Sequence, residues 1–182
     1  MKKTLVLTMA ILLGGCATTE TASTTPAVQV ANAQTEQFFE VHKDGRIYLF
    51  SDFDLYEDFM QLGHTAYFKA FIGEGPHGET LKFGLTGEQK KKLEGVKHVD
   101  LYQGKREATG PFYGEMFMDN RYYVFSSWAD MKLTRDSGEA ALRFSDIGAG
   151  PDGKTVIYVL NSKNKKQRPD ALMAEFKQKH NI

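Results

Sequence analysis

The sequence of 182 residues predicts a strand-rich α+β fold in which two tandem ββαββ repeats pack together and a helix ends the chain. Residues 38–92 align with residues 113–167 at a constant offset of 75 and without a gap. The identical pairs are spread over the whole alignment, and they include Glu40/Glu115, Tyr48/Tyr123, Gly63/Gly138, Ile72/Ile147 and Pro76/Pro151. Unrelated segments would not keep so many glycines and aromatic residues in step.

Each repeat is predicted to begin with two strands joined by a tight turn. In the first repeat, apolar residues flank Asp44-Gly45, a pair that suits a two-residue type I′ turn. The second repeat carries Asp119-Asn120 at the same place. Apolar residues fall on both faces of the paired strands, so we expect the hairpin to be covered on both sides.

A helix and a second pair of strands complete the predicted repeat. Asp52, or the serine before it, can cap a helix that runs to about Leu62, and Gly63 would end it. The second pair of strands is predicted over 67–72 and 80–85, with a loop rich in glycine between them.

The chain should end in a helix that begins near Pro169 and places Leu172, Met173 and Phe176 on one side. A module of about 55 residues buries too little surface to be comfortably stable alone. We therefore expect the two repeats to pack together, either through a shared sheet or face to face.

The first fifteen residues have the pattern of a secretory signal peptide. Lys2 and Lys3 precede an apolar stretch that ends at Leu13 and is too short to span a hydrocarbon core. The run Leu13-Gly14-Gly15-Cys16 resembles the lipobox of bacterial lipoproteins. That resemblance implies cleavage before Cys16 and attachment of acyl chains such as palmitate, and two or three chains hold a protein stably on a membrane.

Cys16 is the only cysteine, which excludes thiol catalysis and cysteine metal sites from the mature protein. Ala17 stands where the enterobacterial lipoprotein rule has aspartate for retention in the inner membrane. The resemblance therefore implies a lipid anchor in the outer membrane, with the folded part expected to face the periplasm.

The predicted organisation has four parts. They are a signal peptide (1–15), a flexible tether (16–37), a first repeat (38–110) and a second repeat with the C-terminal helix (111–182). The tether is predicted because the segment is too polar to bury a core. The 23 basic and 23 acidic residues of the chain are balanced, so we expect no nucleic-acid partner.

One segment matches a nucleotide-binding pattern without its structural context. Residues 148–155 satisfy the G-x-x-x-x-G-K-[ST] pattern of a phosphate-binding loop. Such a loop must lead into a helix whose first N–H groups meet the phosphates, whereas Val156 to Leu160 has the pattern of a strand. We therefore expect no nucleotide.

Candidate metal ligands are few. No histidine is kept in both repeats, because His42, His64 and His77 align with other residue types. A metal site in a single repeat is left open. Met116 and Met118 would be soft ligands, although methionine in a strand more often fills a core.

Two charged pairs are retained in both repeats, namely Glu40/Glu115 and Arg46/Arg121. They mark either a charged site or a structural role in which the glutamates are held by an arginine or lysine of a neighbouring element. No serine, histidine and aspartate order of a hydrolase and no HExxH motif accompanies them.

The segment from Lys43 to Phe59, KDGRIYLFSDFDLYEDF, resembles the strand–strand–helix part of the NosL family. Members of that family are copper-binding lipoproteins of nitrous oxide reductase maturation, and they are lipid-anchored and internally duplicated. The resemblance implies a metal-binding accessory protein. The cysteine and methionine motif that the family often carries near its start is absent from this chain.

These observations lead us to expect a lipid-anchored periplasmic protein without enzymatic activity, which binds another protein or an envelope component. Lipidation of Cys16 is the one site assigned to a residue. No catalytic, metal or cofactor-binding residue is assigned, and no cofactor is expected. The alternatives are a NosL-like copper-binding accessory lipoprotein and an inhibitor or immunity protein.

Overall fold

The computed structural model describes residues 34–182, in which eight strands join into one sheet. The strands are β1 (Glu36–Lys43), β2 (Arg46–Phe50), β3 (Phe68–Phe71), β4 (Thr80–Gly84), β5 (Phe112–Met118), β6 (Arg121–Phe125), β7 (Arg143–Asp146) and β8 (Thr155–Val159). The helices are α1 (Phe53–Leu62), α2 (Lys97–Tyr102), α3 (Trp128–Ser137) and α4 (Asp170–Lys179). The predicted signal peptide and Cys16 lie outside the described residues.

The sheet is mixed, with the order β3-β4-β2-β1-β5-β6-β8-β7. At its centre β1 and β5 run parallel, in a register that pairs Glu36 with Phe112 and Val41 with Phe117. The pairs β2/β4 and β6/β8 are also parallel, and the remaining neighbours are antiparallel. The prediction of a strand-rich fold with mixed helices and strands and a C-terminal helix is confirmed.

The two tight turns adopt the predicted conformation. Asp44 and Gly45 have φ values of 52° and 67°, and Asp119 and Asn120 have values of 52° and 58°. Positive φ at both central positions is what a type I′ turn requires, and Asp, Asn and Gly tolerate it best. Each turn therefore fixes the register of the antiparallel pair that it joins.

Helices α1 and α3 begin and end with the same kinds of cap. The side chains of Asp52 and Ser127 accept hydrogen bonds from backbone N–H groups in the first turn, at 3.0 and 3.3 Å. Gly63 and Gly138 end the two helices in the left-handed conformation, with φ values of 75° and 78°. The predicted cap and stop residues of α1 are thus confirmed.

Each face of the sheet is covered by two helices. On the α1/α4 face, alternate residues of β1 and β2 pack with Tyr56 and Phe59 of α1 and with Phe176 of α4. On the α2/α3 face, the intervening residues pack with Trp128 of α3 and Val99 of α2. The expectation that the first hairpin is covered on both sides is confirmed.

Two features differ from the sequence-based predictions. Strand β1 begins at Glu36, inside the segment 16–37 that was predicted as a tether. The first two residues of β1 are polar, so no apolar alternation marked the start of the strand. In the structure the backbone of β1 pairs with β5, and Arg106 binds the Glu36 carboxylate. Helix α2 was not predicted, since six residues are too few to establish a helical periodicity.

Within residues 34–182, no helix has the length and apolar character needed to cross a membrane.

The packing of β4 generates a prediction at Gly84. A Cβ added there would overlap the Phe50 ring, and the substitution Gly84→Ala should therefore destabilise the protein by about 1 to 3 kcal/mol. The matched control is Gly87→Ala, where the nearest atom would be a Tyr67 ring carbon at 4.0 Å. Urea unfolding measures both variants, and equal stability of the two would contradict this account of the packing.

Candidate functional site

Two fully buried glutamates lie on the neighbouring central strands β1 and β5. Glu40 and Glu115 both have zero exposed surface, although each carries a carboxylate. In the parallel register Glu40 is paired with Met116 and Glu115 with Phe39. Because side chains alternate along a strand, Glu40 lies on the α2/α3 face and Glu115 on the α1/α4 face.

On the α2/α3 face, Arg135 of α3 holds Glu40. Its Nε donates to the two carboxylate oxygens at 2.9 and 2.8 Å, and its Nη2 donates to Oε2 at 2.5 Å. His42 Nε2 lies 2.6 Å from Oε1, and the guanidinium stacks on the Tyr102 ring with Cζ 4.7 Å from its centroid. The structural role considered for this glutamate, a partner arginine on a neighbouring element, is the one observed.

The environment keeps both members of this pair charged. Burial raises the pKa of Glu40, but the charge of Arg135 and the hydrogen bonds from His42 and Arg135 outweigh burial and lower the pKa to about 2. Burial lowers the pKa of Arg135, and Glu40 reverses that effect and raises it. The result is a desolvated ion pair that joins β1 to α3.

On the α1/α4 face, a tyrosine and a histidine bind Glu115. The Tyr113 hydroxyl donates to Oε1 at 2.5 Å, and His180 Nε2 donates to Oε2 at 2.9 Å. The His180 ring packs on Phe176, with centroids 4.4 Å apart. Burial and the Glu115 charge raise the pKa of Tyr113 far above its usual value, so this phenol stays protonated.

Tyr56 of α1 completes the surroundings of Glu115. Its side chain is fully buried, and its hydroxyl has no hydrogen-bond partner among residues 34–182. Burial and the charge of Glu115 raise the pKa of Tyr56 well above its usual value. Leaving a buried hydroxyl without a partner costs about 1 to 3 kcal/mol, which makes this group a candidate contact for a ligand.

A cleft opens on the α1/α4 face next to this cluster. This α1 cleft has a volume of about 670 Å³. Its walls are Tyr56, Glu57, Met60, Gln61, Phe117, Asn120, Tyr122, Pro151, Asp152, Lys154 and His180.

A second depression of about 260 Å³ lies at the start of β1, where the charges of Glu36 and Arg106 are already paired with each other.

His98 of α2 is buried but has a structural role. Its Nδ1 accepts from the Ser51 hydroxyl at 3.0 Å, and its Nε2 donates to the Gly84 carbonyl at 3.0 Å. Burial lowers the pKa of His98 to about 4, against a smaller opposing effect of the Gly84 hydrogen bond. The neutral ring therefore ties α2 to β4 and to the start of α1.

The candidate metal ligands are dispersed. His42 is half-buried against Glu40, whereas His64 and His77 are exposed. Met116 and Met118 are buried in the core of the α2/α3 face. No group of three or more His, Cys, Asp or Glu side chains in the described part of the chain is arranged to hold a metal ion.

The structure also shows where the other candidate residues of the described part lie. Arg46 and Arg121 are exposed at the two type I′ turns, so they do not join the buried glutamates. Residues 155–159 form a strand, as expected when the phosphate-binding loop was rejected. Cys16 lies outside the residues that the structure describes.

Sequence reasoning missed Arg135, Tyr113 and His180 as partners of the two glutamates. The one signal was the retention of glutamate at both positions within apolar strands. Partners that lie 95 and 65 residues away along the chain follow only from the parallel pairing of the central strands.

Comparison with protein-family models, with curated proteins and with solved structures finds no match to this chain. The resemblances to bacterial lipoproteins and to the NosL family therefore stay predictions from the sequence.

The Glu40–Arg135 pair generates a stability prediction. Arg135→Met should cost about 3 to 5 kcal/mol, because it leaves the Glu40 carboxylate buried without its main partner. The double variant Glu40→Met, Arg135→Met should recover a large part of this loss, since it removes the buried charge as well.

Urea unfolding of the two single variants and the double variant measures this coupling. The control is Lys132→Met, which removes an exposed cation one turn earlier in α3 and should change stability little. Additive losses in the double variant would contradict the assignment of a coupled pair.

Proposed function

We propose that this chain is a lipid-anchored outer-membrane protein without enzymatic activity, which binds an envelope component in the α1 cleft. The observation that supports binding is the cleft itself. A concave site of about 670 Å³ combines aromatic walls with polar groups that converge from α1, the second hairpin and the end of α4. Such a combination is typical of sites for small ligands or for a projecting group of a larger partner.

The cluster behind the cleft supports a binding role rather than a chemical step. Glu115 and Tyr113 are buried, and both carboxylate oxygens of Glu115 already accept hydrogen bonds. The His180 side chain is 8% exposed, with its ring between aromatic side chains. These contacts fix the wall of the cleft in one conformation, which lowers the entropy lost when a ligand binds.

The proposed location rests on the N-terminal sequence. A signal peptide (1–15) and the lipobox ending at Cys16 support a lipid anchor, and Ala17 supports the outer membrane. Only four residues of the predicted tether, residues 34–37, belong to the described part, and two of them begin β1.

We also propose that the fold consists of two tandem ββαββ copies, 38–110 and 111–182. The order strand, strand, helix, strand, strand occurs in residues 36–84 and again in residues 112–159. The equal turn conformations, the equal caps of α1 and α3 and the offset of 75 support this relation. In this view β1 and β5 are equivalent strands, and their glutamates are equivalent residues.

The copper-binding alternative has no specific support among the described residues, where no metal-ligating cluster occurs. The inhibitor alternative likewise gains no residue that indicates a target. The α1 cleft therefore remains the feature with the most direct connection to function.

The binding proposal predicts a position-specific crosslink in living cells. A photoreactive amino acid at Gln61, an exposed residue of the cleft wall, should form an adduct that is detected as a mass shift. The matched control is the same amino acid at Asp58, which is exposed on α1 but does not line the cleft. Equal adducts at both positions, or none at Gln61, would count against the cleft as the binding site.

The anchor proposal predicts that Cys16→Ala abolishes incorporation of radioactive palmitate. The protein should then be either released in soluble form or left unprocessed with its signal peptide. The control Ala17→Asp should keep the acyl label and move the protein to the inner-membrane fraction. Persistent acylation of Cys16→Ala would show that the lipobox assignment is wrong.

A further inference from the structure

We infer that the α1 cleft binds a ligand that carries a protonated amine. This inference rests on the proposed function of the cleft and adds the chemical class of the ligand. The charges around the cleft, its aromatic walls and the hydrogen-bonding groups behind it all favour a cationic donor.

The electrostatic environment of the cleft is negative. Glu57 and Asp152 are part of the walls, and the buried carboxylate of Glu115 lies behind His180. Lys154 is the one lysine or arginine of the lining, so the walls carry two carboxylates and a single ammonium group. After burial, the charges of Glu115 and then Asp152 raise the pKa of Tyr122, which shows that a further negative charge is opposed here.

The walls offer aromatic rings that attract cations. Phe117 and Tyr122 line the cleft as an edge-to-face pair, with ring centroids 5.0 Å apart. Met60 and the Tyr56 ring add apolar surface around them. An ammonium group near such rings gains about 0.5 to 2 kcal/mol, more as it is desolvated, and an anion gains nothing comparable.

The hydrogen-bonding groups of the cluster suit a ligand that donates hydrogen bonds. The negative charge of Glu115 favours an orientation of the Tyr56 hydroxyl with its hydrogen toward the carboxylate and its lone pairs available. An ammonium group has three donors and no acceptor, which complements these groups.

The chain already places one of its own amines beside the cleft. Lys154 Nζ is 2.9 Å from the Asp152 carboxylate and 6.0 Å from the centre of the Phe117 ring. The ammonium group of Lys154 thus already lies near both a carboxylate and an aromatic ring of the cleft. A ligand amine would share or replace these contacts, and Lys154 would compete with it.

Three probes of equal length test the chemical class. Cadaverine, 1,5-pentanediol and glutarate each have a five-carbon chain, and they end in amines, hydroxyls and carboxylates respectively. Isothermal titration of the full-length protein in a neutral detergent, at constant ionic strength, should detect binding of cadaverine alone. A capped tripeptide with a central lysine, compared with its norleucine analogue, distinguishes a free amine from the side chain of a partner.

Variants locate the binding site. Glu57→Gln should weaken cadaverine binding about tenfold, because it removes a carboxylate of the cleft wall. Asp58→Asn removes an equal charge from the next position of α1, outside the cleft, and should leave the affinity unchanged. Lys154→Gln should strengthen binding, since it removes the competing ammonium group.

Each outcome has a defined meaning. Binding of cadaverine or of the lysine peptide that depends on Glu57 and not on Asp58 supports the inference. Equal or tighter binding of pentanediol or glutarate overturns the amine while leaving a ligand-binding cleft. Equal effects of Glu57→Gln and Asp58→Asn would mean that the amine does not bind in the α1 cleft, which overturns the inference. Failure of both cadaverine and the lysine peptide to bind overturns it as well. The crosslink at Gln61 tests the binding function independently of these probes.

Discussion

The parallel pairing of β1 with β5 is the constraint on which the rest of the structure depends. A short hairpin cannot create it, because parallel neighbours need a long connection between them. Here residues 44–111 form that connection, and they supply the other strands of one half of the sheet as well as α1 and α2. The outer hairpins β3/β4 and β7/β8 then join the sheet through two further parallel pairings, of β4 with β2 and of β8 with β6. The same pairing buries Glu40 and Glu115 beside each other in the sheet, on opposite faces.

The two buried carboxylates are stabilised in different ways, and the difference determines where ligand chemistry is available. Glu40 is bound by a guanidinium that makes three hydrogen bonds and is itself buried, so its charge is neutralised within the protein. Glu115 is bound by a phenol and an imidazole, and no arginine or lysine donates to it among the described residues. A carboxylate without a cationic guanidinium leaves a negative field in its surroundings. Burial and then the charge of Glu115 raise the pKa of Tyr122 in the cleft wall, so this carboxylate acts on the α1 cleft.

Much of the fold could be predicted from the sequence, because local signals were strong. The Asp44-Gly45 turn, the Asp52 cap and the Gly63 stop each follow from residue types with narrow conformational preferences. The site could be predicted only in part. Retention of glutamate at positions 40 and 115 indicated that these residues mattered, but their partners depend on long-range pairing that no local pattern encodes. The short helix α2 was missed because six residues are too few to establish a helical periodicity, and the strand start at Glu36 was missed because its first two residues are polar.

We expect the two halves of the sheet to be one cooperative unit, held together by β1, β5 and the buried groups between them. Native-state amide hydrogen exchange measures this directly, because it reports the opening free energy of each strand. The amides of β1 and β5 should exchange only through global unfolding, with the free energy that denaturant titration gives for the whole protein. Exchange of β1 and β2 through a lower-energy opening, while β5 to β8 stay protected, would contradict it.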